Sequence, residues 1–204
     1  LKSGAIDVIP KADTSSLYEF VGNPAYKVLE APMNLVQVLA LNNKKPPFEK
    51  LEVRQALQYA IDRDLCIELV AEGLAKPLYT HLPPEDYYYR DFSAAYTYNP
   101  AKAKELLKQA GYPNGCPFTI QIAQLYPFHI RTGEVIIQML NEAGFKAKLQ
   151  VIEWSKWLSD VYGAREYQAT LIGHVGEADP YLLLDRFYQT SNRNYMNVFI
   201  PEID

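Results

Sequence analysis

Apolar residues in this chain recur with two different periods, and those periods separate strands from helices. Leu35-Val36-Gln37-Val38-Leu39-Ala40-Leu41 is apolar at every position but one, the pattern of a strand covered on both faces. Phe118, Ile120 and Ile122 alternate with small or polar residues and predict another strand. Phe145, Ala147, Leu149 and Val151 alternate with Lys146, Lys148 and Gln150, which predicts a half-exposed one. Short apolar runs at residues 5–9, 28–30 and 168–173 are further strand candidates. Val53, Ala56, Leu57, Ala60 and Ile61 instead fall at the spacing of one buried helical face. Asp62 then opens a second helix through Leu65, Cys66, Leu69 and Val70, with Gly73 at its end. Asn99 caps a helix with Pro100 in its first turn, Ala103, Leu106, Leu107 and Ala110 facing inward, and Gly111 as its stop. Helices are also expected around residues 15–20, over 130–143 up to Gly144, over 154–162, and from Asp179-Pro180 through Leu184, Phe187 and Tyr188. Residues 78–98 lack any period and read as a long, ordered surface loop.

The strand–helix–strand order at residues 118–151, with short links, implies a right-handed parallel crossover, so the fold class is α/β. Leu1-Lys2-Ser3-Gly4 reads as the last turn of a helix and Pro201-Glu202-Ile203-Asp204 as the opening of another. The expectation is therefore a piece of a longer chain, and the lack of a signal segment leaves its compartment open.

Composition narrows the function classes. The 204 residues are 49% hydrophobic and 22% charged, enough to bury a core and unlike a disordered chain. A net charge of -4, with no run of one sign, argues against nucleic acid as a partner. No stretch approaches the roughly 18 apolar residues of a membrane span. Proline marks the joints between elements, and the 16 tyrosines suit half-wet surfaces such as clefts, most of them as ordinary boundary packing. Cys66 falls in a helical pattern and Cys116 follows Asn114-Gly115 in an expected loop; neither has a CxxC or Cys/His partner, so no metal site is expected. Whether the two are oxidised stays open.

No phosphate loop, nucleophile elbow or HExxH helix occurs, and no enzyme or cofactor is expected. An acid–base reading of His174 with Glu177 and Asp179 competes with a plainer one, in which Asp179 caps the helix begun by Pro180. Glu177 follows an apolar strand and precedes a helix, the place where ligands bind in open α/β sheets, so it is a candidate partner for a ligand ammonium. Arg131 and Tyr126 lie at the carboxyl end of the strand before them, and the Arg131 fork suits a carboxylate. Trp154 and Trp157 share one helix face and are expected to serve packing.

Several segments in order resemble the peptide/nickel-type extracytoplasmic solute-binding family of ABC importers. They are Lys45-Pro46-Pro47-Phe48 with Val53-Arg54-Gln55-Ala56-Leu57 and Ala60-Ile61-Asp62-Arg63, then Tyr98-Asn99-Pro100-Ala101-Lys102-Ala103 with Ala110-Gly111-Tyr112-Pro113. The opening Ser3-Gly4-Ala5-Ile6-Asp7-Val8 and the segment from Gly144 to Trp154 look similar too. The resemblance implies one lobe of a two-lobe, class II periplasmic-binding fold, a mixed sheet flanked by helices that closes by hinge motion. Residues 1–40 would then be hinge-side strands and residues 41–204 the ligand-binding lobe. It also implies a periplasmic or extracellular monomer that captures a peptide or similar small solute and hands it to permease subunits, touching the membrane only through them or a lipid anchor. A metal-chelate or nickel carrier is the alternative within the family, and a hydrolase using Glu177 and His174 the alternative outside it. Relatives that bind peptides carry Gly-Trp, then Asp, then Pro where this chain has Gly173 to Pro180. By that match Glu177 takes the place of the acid that receives a peptide amino terminus, in a loop one residue shorter. His174 stands where the tryptophan does, and Arg131 falls near an arginine that holds the ligand carboxylate.

Overall fold

A computed structural model describes residues 1–10, 12, 14–31, 33–175 and 179–202. The chain forms two units, Leu1–Met33 and Asn34–Asp204. The first contains one short helix, Thr14–Leu17 (α1), a T-shaped contact between Phe20 and Tyr26 at 4.9 Å, and an ion pair between Lys2 and Glu19. Residues 5–9 and 28–30 form no strand, contrary to expectation. Their apolar side chains are exposed, Val8 at 72% and Leu29 at 78%, and among the described residues no strand pairs with them.

The second unit runs Leu35–Leu41 (β1), Leu51–Ala60 (α2), Arg63–Ala71 (α3), Pro100–Gln109 (α4), Cys116–Ala123 (β2), Pro127–Glu142 (α5) and Phe145–Ile152 (β3). Trp154–Lys156 (α6) then leads straight into a π-helical segment, Trp157–Gly163, followed by Ala169–Val175 (β4) and Pro180–Leu184 (α7). The sheet order is β1-β4-β2-β3, with β2 parallel to both β3 and β4 and β1 antiparallel to β4. An apolar, inner sequence puts β4 inside the sheet, buried over its first four residues. The edge strand β3 turns Lys146 and Lys148 to solvent, which guards its open edge. The other edge is β1, so only Val36 and Ala40 of that apolar run are buried.

Alternation along the strands feeds two cores. Ile120, Ile122, Ala169 and Leu171 pack with Val53, Leu57, Leu106, Leu107, Ile136 and Leu140 of the helices. Ala123, Ile152, Trp157, Val161, Ile172 and Tyr195 form the second core. Helix α5 comes unusually near the sheet at Gly133, where a Cβ would stand 2.6 Å from Ile122 Cδ1. It starts at Pro127, three residues before the predicted position, because Pro127 is already set for a first helical turn. Cys116 is a second correction: it is the buried first residue of β2 and not a loop residue, and burial pushes its thiol up to about 12. Both cysteines are free.

The predicted caps are present. Asp62 accepts the Leu65 N–H at 3.1 Å, although Glu72, with φ of 51°, takes the left-handed turn before Gly73 does. Asn99 accepts the Lys102 N–H at 3.0 Å. Asn99→Ala is expected to cost about 1 kcal/mol, read as a lower urea midpoint at unchanged slope. Past β4 the chain returns and is tied down by buried asparagines. Asn42 donates to the Arg165 and Tyr167 carbonyls and accepts from Asn197, and Asn194 donates to the Tyr188 and Val198 carbonyls. These bonds hold Tyr195, 1% exposed, beneath the sheet's carboxyl margin.

Candidate functional site

Because β2, β3 and β4 are parallel, their carboxyl ends share one margin and whatever follows them gathers there. Tyr126 precedes α5, Trp154 opens α6, and Gly173 and His174 lie near the end of β4. With Trp157, Tyr162, Arg186 and Tyr195 they line a cleft of about 250 Å³. The π-helical segment sets the wall: Trp154 and Trp157 stack at 5.2 Å with their planes 7° apart, and Tyr126 meets Trp154 edge-on at 5.6 Å. Trp157 is fixed from behind, its Nε1–H donating to Thr170 Oγ1 at 2.9 Å, while the Thr170 hydroxyl donates to the Gln121 carbonyl at 2.6 Å. Trp154, half-buried, lines the cleft beside it.

His174 and Tyr195 line the cleft and belong to a chain of neutral polar groups that continues behind them to His81. His174 Nε2 lies 2.8 Å from the Tyr195 hydroxyl, and His174 Nδ1 lies 3.1 Å from His81 Nε2. Burial, and then the positive charge of Arg186, pushes His174 down to about 2 and His81 down to about 4, so both imidazoles are neutral near neutral pH. Burial likewise raises the Tyr195 phenol. Arg186 is half-buried, donates Nε–H to the Leu183 carbonyl at 2.9 Å, and has its guanidinium pushed down by burial. Among the described residues no carboxylate lies within 4.0 Å of it.

Of the residues singled out from sequence, Tyr126 and His174 meet in this cleft. Arg131 is exposed on the second turn of α5 and is not among the lining residues. Glu177 lies outside the described residues. Asp179 accepts the Tyr181 N–H at 2.9 Å, the cap expected of it. His81, Arg186 and Tyr195 were not legible as site residues, since nothing local joins positions so far apart. Among the described residues no group of three or more His, Cys, Asp or Glu is placed to hold a metal, and no helix is long and apolar enough to cross a membrane. The arrangement can therefore stack a flat or apolar group on indole, hydrogen-bond neutral groups at its lining, and attract an anion.

The family described as bacterial extracellular solute-binding proteins, family 5 middle, matches residues 1–195. The chain is 33% identical over 203 residues to heme-binding protein A of Haemophilus influenzae, covering 97% of this chain and 37% of that protein. It is 30% identical over 195 residues to the dipeptide-binding protein of Escherichia coli K12, covering 93% of this chain and 36% of that protein. The solved structure of HbpA2 from Haemophilus parasuis superposes with a TM-score of 0.84 at 28% identity, over 99% of this chain and 41% of that one. This chain thus spans well under half the length of these relatives.

Proposed function

The chain belongs to the family-5 bacterial extracellular solute-binding proteins, and from that premise we propose that it supplies one wall of an interlobe cleft that captures a peptide or similar small solute for an ABC importer. The observation that carries this reading is the aromatic cleft at the carboxyl margin of β2, β3 and β4, where an open α/β sheet presents loops and helix starts to a ligand. Residues 1–40 serve as the hinge side and residues 41–204 as the lobe that closes on the solute, and closure signals occupancy to the permease subunits. The protein works as a periplasmic or extracellular monomer. It performs no chemistry on what it carries. Glu177 receives the solute's ammonium, His174 and Tyr126 line its path, and Arg131 contacts the part that leaves the cleft. The dipeptide-binding relative favours a peptide; the heme-binding relative and the flat indole wall also suit a planar solute.

Mass spectrometry of small molecules released from the full-length protein separates these solutes, and calorimetry with di- and tripeptides tests the first. Submicromolar to micromolar binding of a peptide is expected, whereas a full-length protein that binds none would remove the peptide reading. Glu177→Gln is expected to weaken free-amino peptides about tenfold and to leave N-acetylated ones unchanged. Equal effects on both would take Glu177 out of the site.

A further inference from the structure

Arg186 has surroundings unlike those of an ordinary surface arginine. It lines the cleft, is half-buried, and among the described residues is held by one backbone bond, from Nε to the Leu183 carbonyl, which fixes its stem. A half-buried cation is normally matched by a carboxylate, because partial removal from water weakens solvation of the charge. Its described surroundings are a neutral pair, His81 and His174, and the Tyr195 hydroxyl, with two charges acting from further off, the Arg193 guanidinium against it and the Asp185 carboxylate in its favour. Asp185, next to it in the chain, accepts the Ser191 hydroxyl at 3.0 Å and makes no ion pair with it. The cleft thus holds a cation that no described carboxylate pairs with directly, in the same lining as an aromatic wall.

We propose that Arg186 is the anion anchor of the cleft, taking a ligand carboxylate by a forked hydrogen bond while an adjoining flat or apolar group lies against Trp154 and Tyr126. The assignment rests on the cleft reading above and adds to it a class of solute: small carboxylates bearing an aromatic or apolar group beside the acid. Guanidinium geometry suits it, since two parallel N–H groups match the two oxygens of a carboxylate and the cleft keeps bulk water from competing fully. The histidine pair contributes by staying uncharged, so that it does not compete for the anion or for a counter-ion. A peptide's terminal carboxylate, with its last side chain on the indole, is one such ligand.

The test compares acids with their amides. Calorimetry on the full-length protein would use Ala-Phe against Ala-Phe amide, and 3-phenylpropanoate against 3-phenylpropanamide. The unmodified protein is expected to prefer each acid by about tenfold or more, Arg186→Gln to reduce that preference to within about twofold, and Arg186→Lys to keep part of it. Because the preference is a ratio measured on a single variant, a partly unfolded fraction does not change it. Equal binding of acid and amide by the unmodified protein would overturn the anchor while sparing the peptide reading. A full preference surviving in Arg186→Gln would also overturn it. If only the phenylpropanoate binds and loses its preference in Arg186→Gln, the anchor stands and the peptide reading falls. If neither acid binds, both fall.

Discussion

Replacing Trp157 by alanine is expected to lower stability by about 3–5 kcal/mol, the range for emptying a buried tryptophan site. Trp157 is 4% exposed and sits in the second core with Ile152, Val161, Ile172 and Tyr195. Its ring stacks on Trp154, meets Tyr195 at 6.1 Å, and donates to Thr170. Truncation removes all three contacts and leaves a hole that the tightly tied segment around Asn194 and Tyr195 cannot collapse to fill. Trp157→Phe separates the parts: most of the packing remains and only the bond to Thr170 goes, for about 1 kcal/mol. Urea unfolding followed by circular dichroism measures both. A loss below about 1 kcal/mol for the alanine variant would mean that the wall of the cleft is not anchored in the core.

Acid is expected to unfold this protein through its histidine pair. Burial holds His174 at about 2 and His81 at about 4 in the folded state, against about 6.5 in the unfolded chain. The folded values are depressed, so the stability is intact above pH 6.5, where both states are neutral. As pH falls below 6.5 the unfolded chain takes up protons that the folded one refuses. Stability then drops by about 1.4 kcal/mol per pH unit for each group, down to about pH 4 for His81 and further for His174. Beyond burial, Arg186 opposes protonation of both imidazoles and His81 opposes that of His174, while Tyr195 beside His174 and Phe187 beside His81 complete the described contacts. His81 is half-buried and contributes the smaller share, so a combined loss of roughly 3–5 kcal/mol between pH 6.5 and 4 is expected. Chemical denaturation at half-unit pH steps gives the slope. His174→Gln should be less stable at pH 7 yet lose stability more slowly on acidification, and an unchanged slope in that variant would refute the assignment.

Local pattern located the elements that make the lobe. β1 was readable residue by residue, since its nearly unbroken apolar run lies between Asn34 and Asn42. Helices α2, α3 and α4 were readable from their periodic faces, and α3 and α4 also from their capping residues Asp62 and Asn99. Residues 5–9 and 28–30 misled because a short apolar run records only that a segment can be extended, while a strand also needs a partner. Cys116 was misplaced by Asn114-Gly115, a turn signal that stops one residue before the strand begins. The site was half legible. Tyr126 and His174 were found because a strand end is a local feature, and the ordered segments shared with a known family pointed to a solute cleft.

What the sequence determined by itself, then, was an α/β lobe with a ligand margin at its carboxyl strand ends, because periodicity, caps and turn residues act over a few positions and leave their trace there. What the tertiary structure alone decided was which distant residues complete that margin. His81 comes from a loop without period, 93 positions from His174, and Arg186 and Tyr195 arrive on a return segment held by asparagine side chains. Their proximity depends on the sheet order β1-β4-β2-β3 and on long-range hydrogen bonds, and neither leaves a mark on the residues next to them in the chain.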